Sequence, residues 1–359
     1  MAALPHSQRR KGRLPGRGRL KGVNGSGLPA RPGGRATERI DKEAGTRNPK
    51  GSEDPRLLAV AGGKGGVGKT FIAANLATSM AQIGQRVVAI DADLEGANLH
   101  TCLGVPPPRE GLADFVANRE EDLRKLALET PIPNLRLVAG THAHLSDAQP
   151  DEVHRVRLIR ALRQLDADWV ILDLGPGLQS ATLDYFLVAD AGLLVINPEP
   201  GSVENAYAFL RAAFYRRLRQ AVVSEELRDL ITEAMDPRNE EGIRTPHELR
   251  AEVESADPAE GARFVRAMAE FHPRIVINGV RNTEDIRLGF AVASVCRRYF
   301  GVEVEYLGYV NHDEAARRSV LAREPVVRFA KEADAAIYLD RIARKICGPP
   351  PAVRTGSSP

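Results

Sequence analysis

LLAVAGGKGGVGKT, Leu57 to Thr70, passes from an apolar run (Leu57 to Ala61) through glycine into Gly-Lys-Thr. Gly63, Gly68, Lys69 and Thr70 fall on the G-x-x-x-x-G-K-[ST] spacing of a phosphate-binding loop. The chemistry explains the pattern. Glycine lets the backbone curl, so that N–H groups along Gly63, Lys64, Gly65, Gly66, Val67 and Gly68 turn inward on phosphate oxygens. Lys69 sets a positive charge against the outer phosphates, and the Thr70 hydroxyl is offered to Mg²⁺. After the loop, Phe71, Ile72, Leu76, Met80 and Ile83 recur at helical spacing, so a helix beginning near Lys69 adds the positive end of its dipole. An apolar strand before the loop and an amphipathic helix after it supply the context that the motif needs. The ligand implied is a nucleoside triphosphate with Mg²⁺.

The rest of the chain supplies strands for this loop to join. Arg86 to Asp91, Leu135 to Ala139, Asp168 to Leu174, Gly192 to Pro198, Pro273 to Val280 and Glu303 to Val310 are short Val/Ile/Leu-rich runs. Such runs read as strands of a parallel sheet covered on both faces. Helical patterns alternate with them, including Asp151 to Leu165, the segment after PEPGS, Thr283 to Tyr299 and Lys331 to Ile346. Pro106 to Glu129 reads as a proline-interrupted turn followed by a helix. The expectation is an α/β fold with a doubly wound, mostly parallel sheet flanked by helices. Ligands of such sheets bind at the carboxyl ends of the strands. Three acids fall there: Asp91 and Asp93, on one side of the extended chain, and Asp173 at the tip of the 168–174 strand. Asp173 has the position of the carboxylate that holds Mg²⁺ in phosphate-loop proteins.

Lys64 is a second lysine inside the loop, which a generic nucleotide loop does not need. With it, KGGVGKT resembles the deviant Walker A motif of the MinD/ParA family of P-loop ATPases. The resemblance runs from about Arg56 to Ile346. It is nearest to the FlhG/FleN branch in ANLHTCLG, in EPGSVENAY and in the layout after the last strand. It implies ATP and Mg²⁺ as cofactors, slow hydrolysis to ADP and phosphate, and an ATP-dependent homodimer in which Lys64 reaches the partner's phosphates. Lys64, Lys69 and Asp93 are then the catalytic set, with Asp93 acting on the attacking water. Asp91 joins Thr70 and Asp173 around the metal, Asn98 contacts the dimer or the γ-phosphate, and Asn278 bonds the adenine edge. The P-E-P-x-S segment after the 192–198 strand touches the dimer partner in that family. The task implied is spatial positioning, most specifically of flagella or of the division site, with a regulatory protein partner. The chain departs from the family's shorter form in its basic start, in a helical insertion and in a proline (Pro176) within the turn after Asp173.

Composition sets further bounds. The chain has 359 residues and a net charge of +3. Residues 1–54 carry 13 Lys and Arg against 5 Asp and Glu, with few residues able to build a core, and read as a disordered basic tail ending at Pro55. The ATPase domain is expected over 56–346, and a disordered tail over 347–359. Residues 221–270 invert the charge, with 13 acids against 6 bases, and read as an acidic helical insertion. Cys102, Cys296 and Cys347 form no CxxC, which argues against a zinc site or a cysteine-held cluster. His142, His144 and His154 lack zinc spacing. No apolar run approaches the roughly 18 residues that span a bilayer, and the start lacks a secretory apolar core. The location expected is cytoplasmic, with peripheral contact at the inner membrane face. Ala335 to Ile346 is amphipathic and basic, which suits a membrane interface or docking on the sheet; docking is preferred. Two other functions share the fold. One is a ParA-like DNA or cargo segregation ATPase, binding DNA through the tail or through Arg211, Arg216, Arg217 and Arg219. The other is an ATP-dependent biosynthetic enzyme.

Overall fold

The computed structural model of the protein describes residues 54–140, 152–235 and 246–348. Most of the basic start, the end of the chain, His142, His144 and the middle of the acidic segment lie outside the described residues. The elements are β1 (Arg56–Ala61), α1 (Lys69–Gln82), β2 (Val87–Ala92), α2 (Leu99–Cys102), α3 (Leu112–Val116), β3 (Leu128–Glu129), β4 (Leu135–Val138), α4 (Glu152–Arg163) and β5 (Trp169–Leu174). They continue with α5 (Ser180–Val188), β6 (Ala191–Ile196), α6 (Pro200–Ala221), α7 (Glu225–Met235), α8 (Pro246–Ala256), α9 (Pro258–Ala269) and β7 (Arg274–Val280). Last come α10 (Thr283–Phe300), β8 (Glu305–Asn311), α11 (Glu314–Leu321), α12 (Val326–Phe329) and α13 (Asp334–Cys347).

Among the described residues the strands form one eight-stranded sheet in the order β3-β4-β2-β5-β1-β6-β7-β8. The pairings are parallel except for the short antiparallel edge of β3 on β4. The period of two in β1 shows how both faces are used. Leu57, Ala59 and Ala61 point into one core, with Leu172, Phe209 and Phe214. Leu58 and Val60 point into the other, with Ile72, Leu76 and Met80 of α1. That is the doubly wound arrangement expected of uninterrupted apolar strands.

Helix α1 is buried almost all round, and its small residues (Ala73, Ala74, Ala77, Ala81) allow close approach by its neighbours. One neighbour is α13, which buries Ala335, Ala336, Leu339, Ile342, Ala343 and Ile346 in the same core. The amphipathic C-terminal stretch is thus docked on the sheet, with its apolar face already used. It also guards the sheet's edge, because Lys345 Nζ donates to the Leu307 carbonyl of edge strand β8 at 2.6 Å. The long α6, 22 residues, carries the acidic segment. Arg217 donates to the Ala267 carbonyl at the end of α9 and pairs with Glu270 at 2.7 Å.

Sequence and structure part in a few places. The helix expected within 106–129 is a short α3, a 3-10 turn over Leu123–Leu126 and the strand β3. Asn118 turns with a positive φ of 57°, which ends the helix after Val116. The final helix starts at Asp334 instead of Lys331, because Val326–Phe329 forms a separate turn of helix.

Candidate functional site

The loop from Gly62 to Thr70 lies at the carboxyl edge of the sheet. Gly68 sits at φ 92°, ψ 22°, a left-handed conformation, and heads α1 as its N-cap. Gly63 is needed for a different reason. A Cβ there would lie 2.4 Å from the backbone of Asn205 in α6, so the loop's first glycine is a packing contact with that helix. Open space faces Gly65 and Gly66. Lys69 is 7% exposed. A buried ammonium at the head of a helix, beside a loop that is open at Gly65 and Gly66, is suited to an anionic ligand.

Two carboxylates stand below the loop, brought together by sheet register. Asp91 of β2 pairs across the strands with Asp173 of β5. Both are buried, but their surroundings differ. Asp91 accepts from the N–H groups of Leu99 at 2.9 Å and Asp93 at 3.2 Å, so it ties α2 and the 93–98 turn to β2. Burial pushes its pKa up to about 6, against the pull of those two donors. Asp173 has no such relief. Among the described residues neither of its oxygens receives a hydrogen bond of normal geometry, although the Thr70 hydroxyl lies near enough to lower its pKa. Burial first, and the Asp91 charge second, push the Asp173 pKa up to about 8, while Thr70 and Lys69 oppose the rise.

An acid left buried without a partner fits a cation that arrives with a ligand. Asp173 and Thr70 are of the right chemistry for Mg²⁺, a hard ion bound by one or two protein oxygens together with phosphates and water. Among the described residues no group of three or more His, Cys, Asp or Glu could hold a metal alone. Asp91, with both oxygens on backbone donors, serves this arrangement as an anchor of the turn.

The other expected residues are placed as follows. Asp93 accepts from Gly96 N–H at 2.9 Å and lies beside Gly175 in the turn after β5. In that turn Gly177, with φ 85°, donates to the Gly62 carbonyl at 3.4 Å. Asn98 is exposed, and its amide folds back on the Gly96 carbonyl at 2.6 Å. Asn278, at the end of β7, donates to the Val67 carbonyl at 2.9 Å. Lys64 has a side chain 35% exposed, and its Nζ pairs with Glu199 at 2.9 Å. His154 bonds Asn118.

Sequence reasoning missed two residues of this neighbourhood. Glu199 was read only as part of the P-E-P-x-S segment, and its contact with Lys64 spans 135 residues of chain. Asn197, at the end of β6, had a visible signal. Val195-Ile196-Asn197 and Val276-Ile277-Asn278 are the same tripeptide, each closing an apolar strand.

A parallel sheet with a phosphate loop after β1, a carboxylate at the tip of the adjacent β5 and a lysine pair in the loop defines the P-loop NTPases of the deviant Walker A class. Comparison with known proteins agrees. The AAA_31 family model, described as an AAA domain, matches residues 55–222. The chain is 27% identical over 300 residues to the antiactivator FleN of Pseudomonas aeruginosa, covering 82% of this chain and 88% of FleN. It is 29% identical over 185 residues to the flagellum site-determining protein YlxH of Helicobacter pylori, covering 48% of this chain and 60% of YlxH. Among solved structures, the septum site-determining protein MinD of Pyrococcus horikoshii, complexed with Mg-ADP, superposes with a TM-score of 0.55 at 20% identity, covering 81% of this chain and 96% of that one. These likenesses support a MinD/ParA-type P-loop ATPase that is FleN-like.

Proposed function

We propose that the protein is an ATP-driven switch that dimerises with ATP, hydrolyses it slowly, and regulates spatial positioning, either of flagella in number and placement or of the division site. The observation that supports this most is one juxtaposition. A loop with two lysines and a buried, unpartnered Asp173 lie at the same edge of the sheet. Lys69, Gly65, Gly66, Val67 and Gly68 bind the phosphates, Thr70 and Asp173 hold Mg²⁺, and Asn278 meets the adenine. The metal, when bound, neutralises charge on the phosphate oxygens. Asp93 orients the attacking water from the turn that Asp91 anchors. Lys64 exchanges its exposed pairing with Glu199 for the partner's phosphates. The likeness to FleN and YlxH supports the flagellar form of the task.

Light scattering with ATP, ADP and no nucleotide tests the reading. The wild-type chain should double its mass only with ATP. Lys64→Ala should retain nucleotide binding and stay monomeric, and Asp93→Ala should accumulate as ATP-bound dimer with turnover reduced at least tenfold. A Lys64→Ala dimer would remove the lysine from the interface and with it the sandwich mechanism. What argues against DNA contact through Arg216 and Arg217 of α6 is their employment within the fold. Arg216 forms a two-pronged bond with Asp184 at 2.6 and 2.8 Å, and Arg217 pairs with Glu270.

A further inference from the structure

The tripeptides Val195-Ile196-Asn197 and Val276-Ile277-Asn278 lie side by side. Strands β6 and β7 pair in parallel, with Val195 opposite Val276 and Ile196 opposite Ile277. The two asparagines therefore lie side by side under the phosphate loop, Asn197 just past β6 and Asn278 within the last residues of β7. Both amides converge on one atom there. Asn278 Nδ2 donates to the Val67 carbonyl at 2.9 Å. Asn197, with its amide nitrogen turned to the loop, donates to the same carbonyl at 2.9 Å and to the Asn278 carbonyl at 3.2 Å. The opposite orientation would set its oxygen against two acceptors, so the nitrogen faces them. Asn197 is itself held at its backbone. Its N–H donates to Ser202 Oγ at 3.0 Å, and its carbonyl accepts from Glu199 N–H at 2.8 Å.

A trans peptide directs its C=O and the following N–H to opposite sides. With the Val67 carbonyl pinned toward the strand ends, the Gly68 N–H is turned away from them, at the head of α1, where an anion would lie. Gly68, at φ 92°, has the backbone freedom to rotate that plane, and a Cβ on it would strike Asn278 Nδ2 at 2.3 Å. From this geometry we infer that Asn197 is a positioning residue of the phosphate site: with Asn278 it locks the Val67–Gly68 peptide so that the Gly68 N–H is presented to phosphate. The inference rests on the nucleotide-binding reading above. It gives the two amides different duties: the proposed function sets Asn278 against the base, whereas the inference sets Asn197 on phosphate alone.

The test is calorimetric binding of ADP, GDP and inorganic pyrophosphate to the full chain and to Asn197→Ala, Asn197→Asp and Asn278→Ala, with melting temperatures in parallel. Asn197→Ala should weaken ADP and pyrophosphate alike, by about tenfold, and leave the ADP-to-GDP ratio at the wild-type value. Asn197→Asp keeps the volume of the side chain but opposes an oxygen to the Val67 carbonyl. It should weaken both ligands further, even where its melting temperature matches that of the alanine variant. Asn278→Ala should move the ADP-to-GDP ratio as well. Pyrophosphate affinity unchanged in Asn197→Asp would overturn the inference, as would a loss confined to the base. A wild-type chain that binds neither ADP nor pyrophosphate would instead overturn the nucleotide reading itself.

Discussion

Register places two acids next to each other, and local donors then separate their behaviour. Asp91 shares its charge with two backbone N–H groups, while Asp173 has only the nearby Thr70 hydroxyl and the Lys69 charge. The consequence for stability has a definite sign. An acid whose pKa rises on folding, here from 3.8 to about 8 for Asp173, holds its proton more tightly folded than unfolded. Its stabilising contribution is complete below the unfolded value and is lost as pH climbs through the folded one. The nucleotide-free chain should therefore melt at progressively lower temperature from pH 5 to pH 8, and Asp173→Asn should flatten the upper part of that slope. Scanning fluorimetry without Mg²⁺ measures it; parallel slopes for the two chains would show that Asp173 is not the titrating group. At this scale the residues legible in the sequence were those whose chemistry is announced by a local motif: Lys64, Lys69, Thr70 and Asp173. Glu199 was not, and Asn197 showed only in the repeated Val-Ile-Asn tripeptide, because their partners lie 135 and 130 residues away along the chain. Only folding creates those pairs. The role of Gly63 was hidden for the same reason, since its constraint is the backbone of Asn205.

Among the elements, the strands were the most legible and the short helices the least. β1, β2, β5 and β6 are buried along nearly their whole length, so apolar runs mark them plainly. α2 and α12, each four residues long, are stabilised by what they touch rather than by their own pattern. Leu99 N–H anchors α2 on Asp91, and Val327 N–H anchors α12 on buried Asn75 of α1 at 3.2 Å. The choice between a docked and an interfacial C-terminal helix could not be made from spacing alone, because both need one apolar face. Burial of Leu339 and Ile342 against α1 decides it. Replacing Leu339 by Ala should then cost about 2–5 kcal/mol in chemical denaturation, as expected for a leucine removed from a packed core. A loss under about 0.5 kcal/mol would mean that α13 is peripheral to the fold.

For the whole molecule, the described residues include no helix long and apolar enough to cross a membrane. The switch proposed above would meet its surface through contacts formed in one nucleotide state. Co-sedimentation with anionic vesicles and with duplex DNA, at two salt concentrations and with ATP or ADP, discriminates between the candidates. The positioning reading expects ATP-dependent recovery with vesicles. Recovery with DNA that falls steeply with salt would move the assignment toward cargo segregation. The bond from Lys345 to the Leu307 carbonyl bears on a different matter, the handling of the protein. A parallel sheet that ends in an open strand is a template for a neighbouring chain, and an inward-turned lysine spoils that template. The last turn of α13 thus caps part of that edge, and Lys345→Ala is expected to make the chain more prone to associate at high concentration, as light scattering would read.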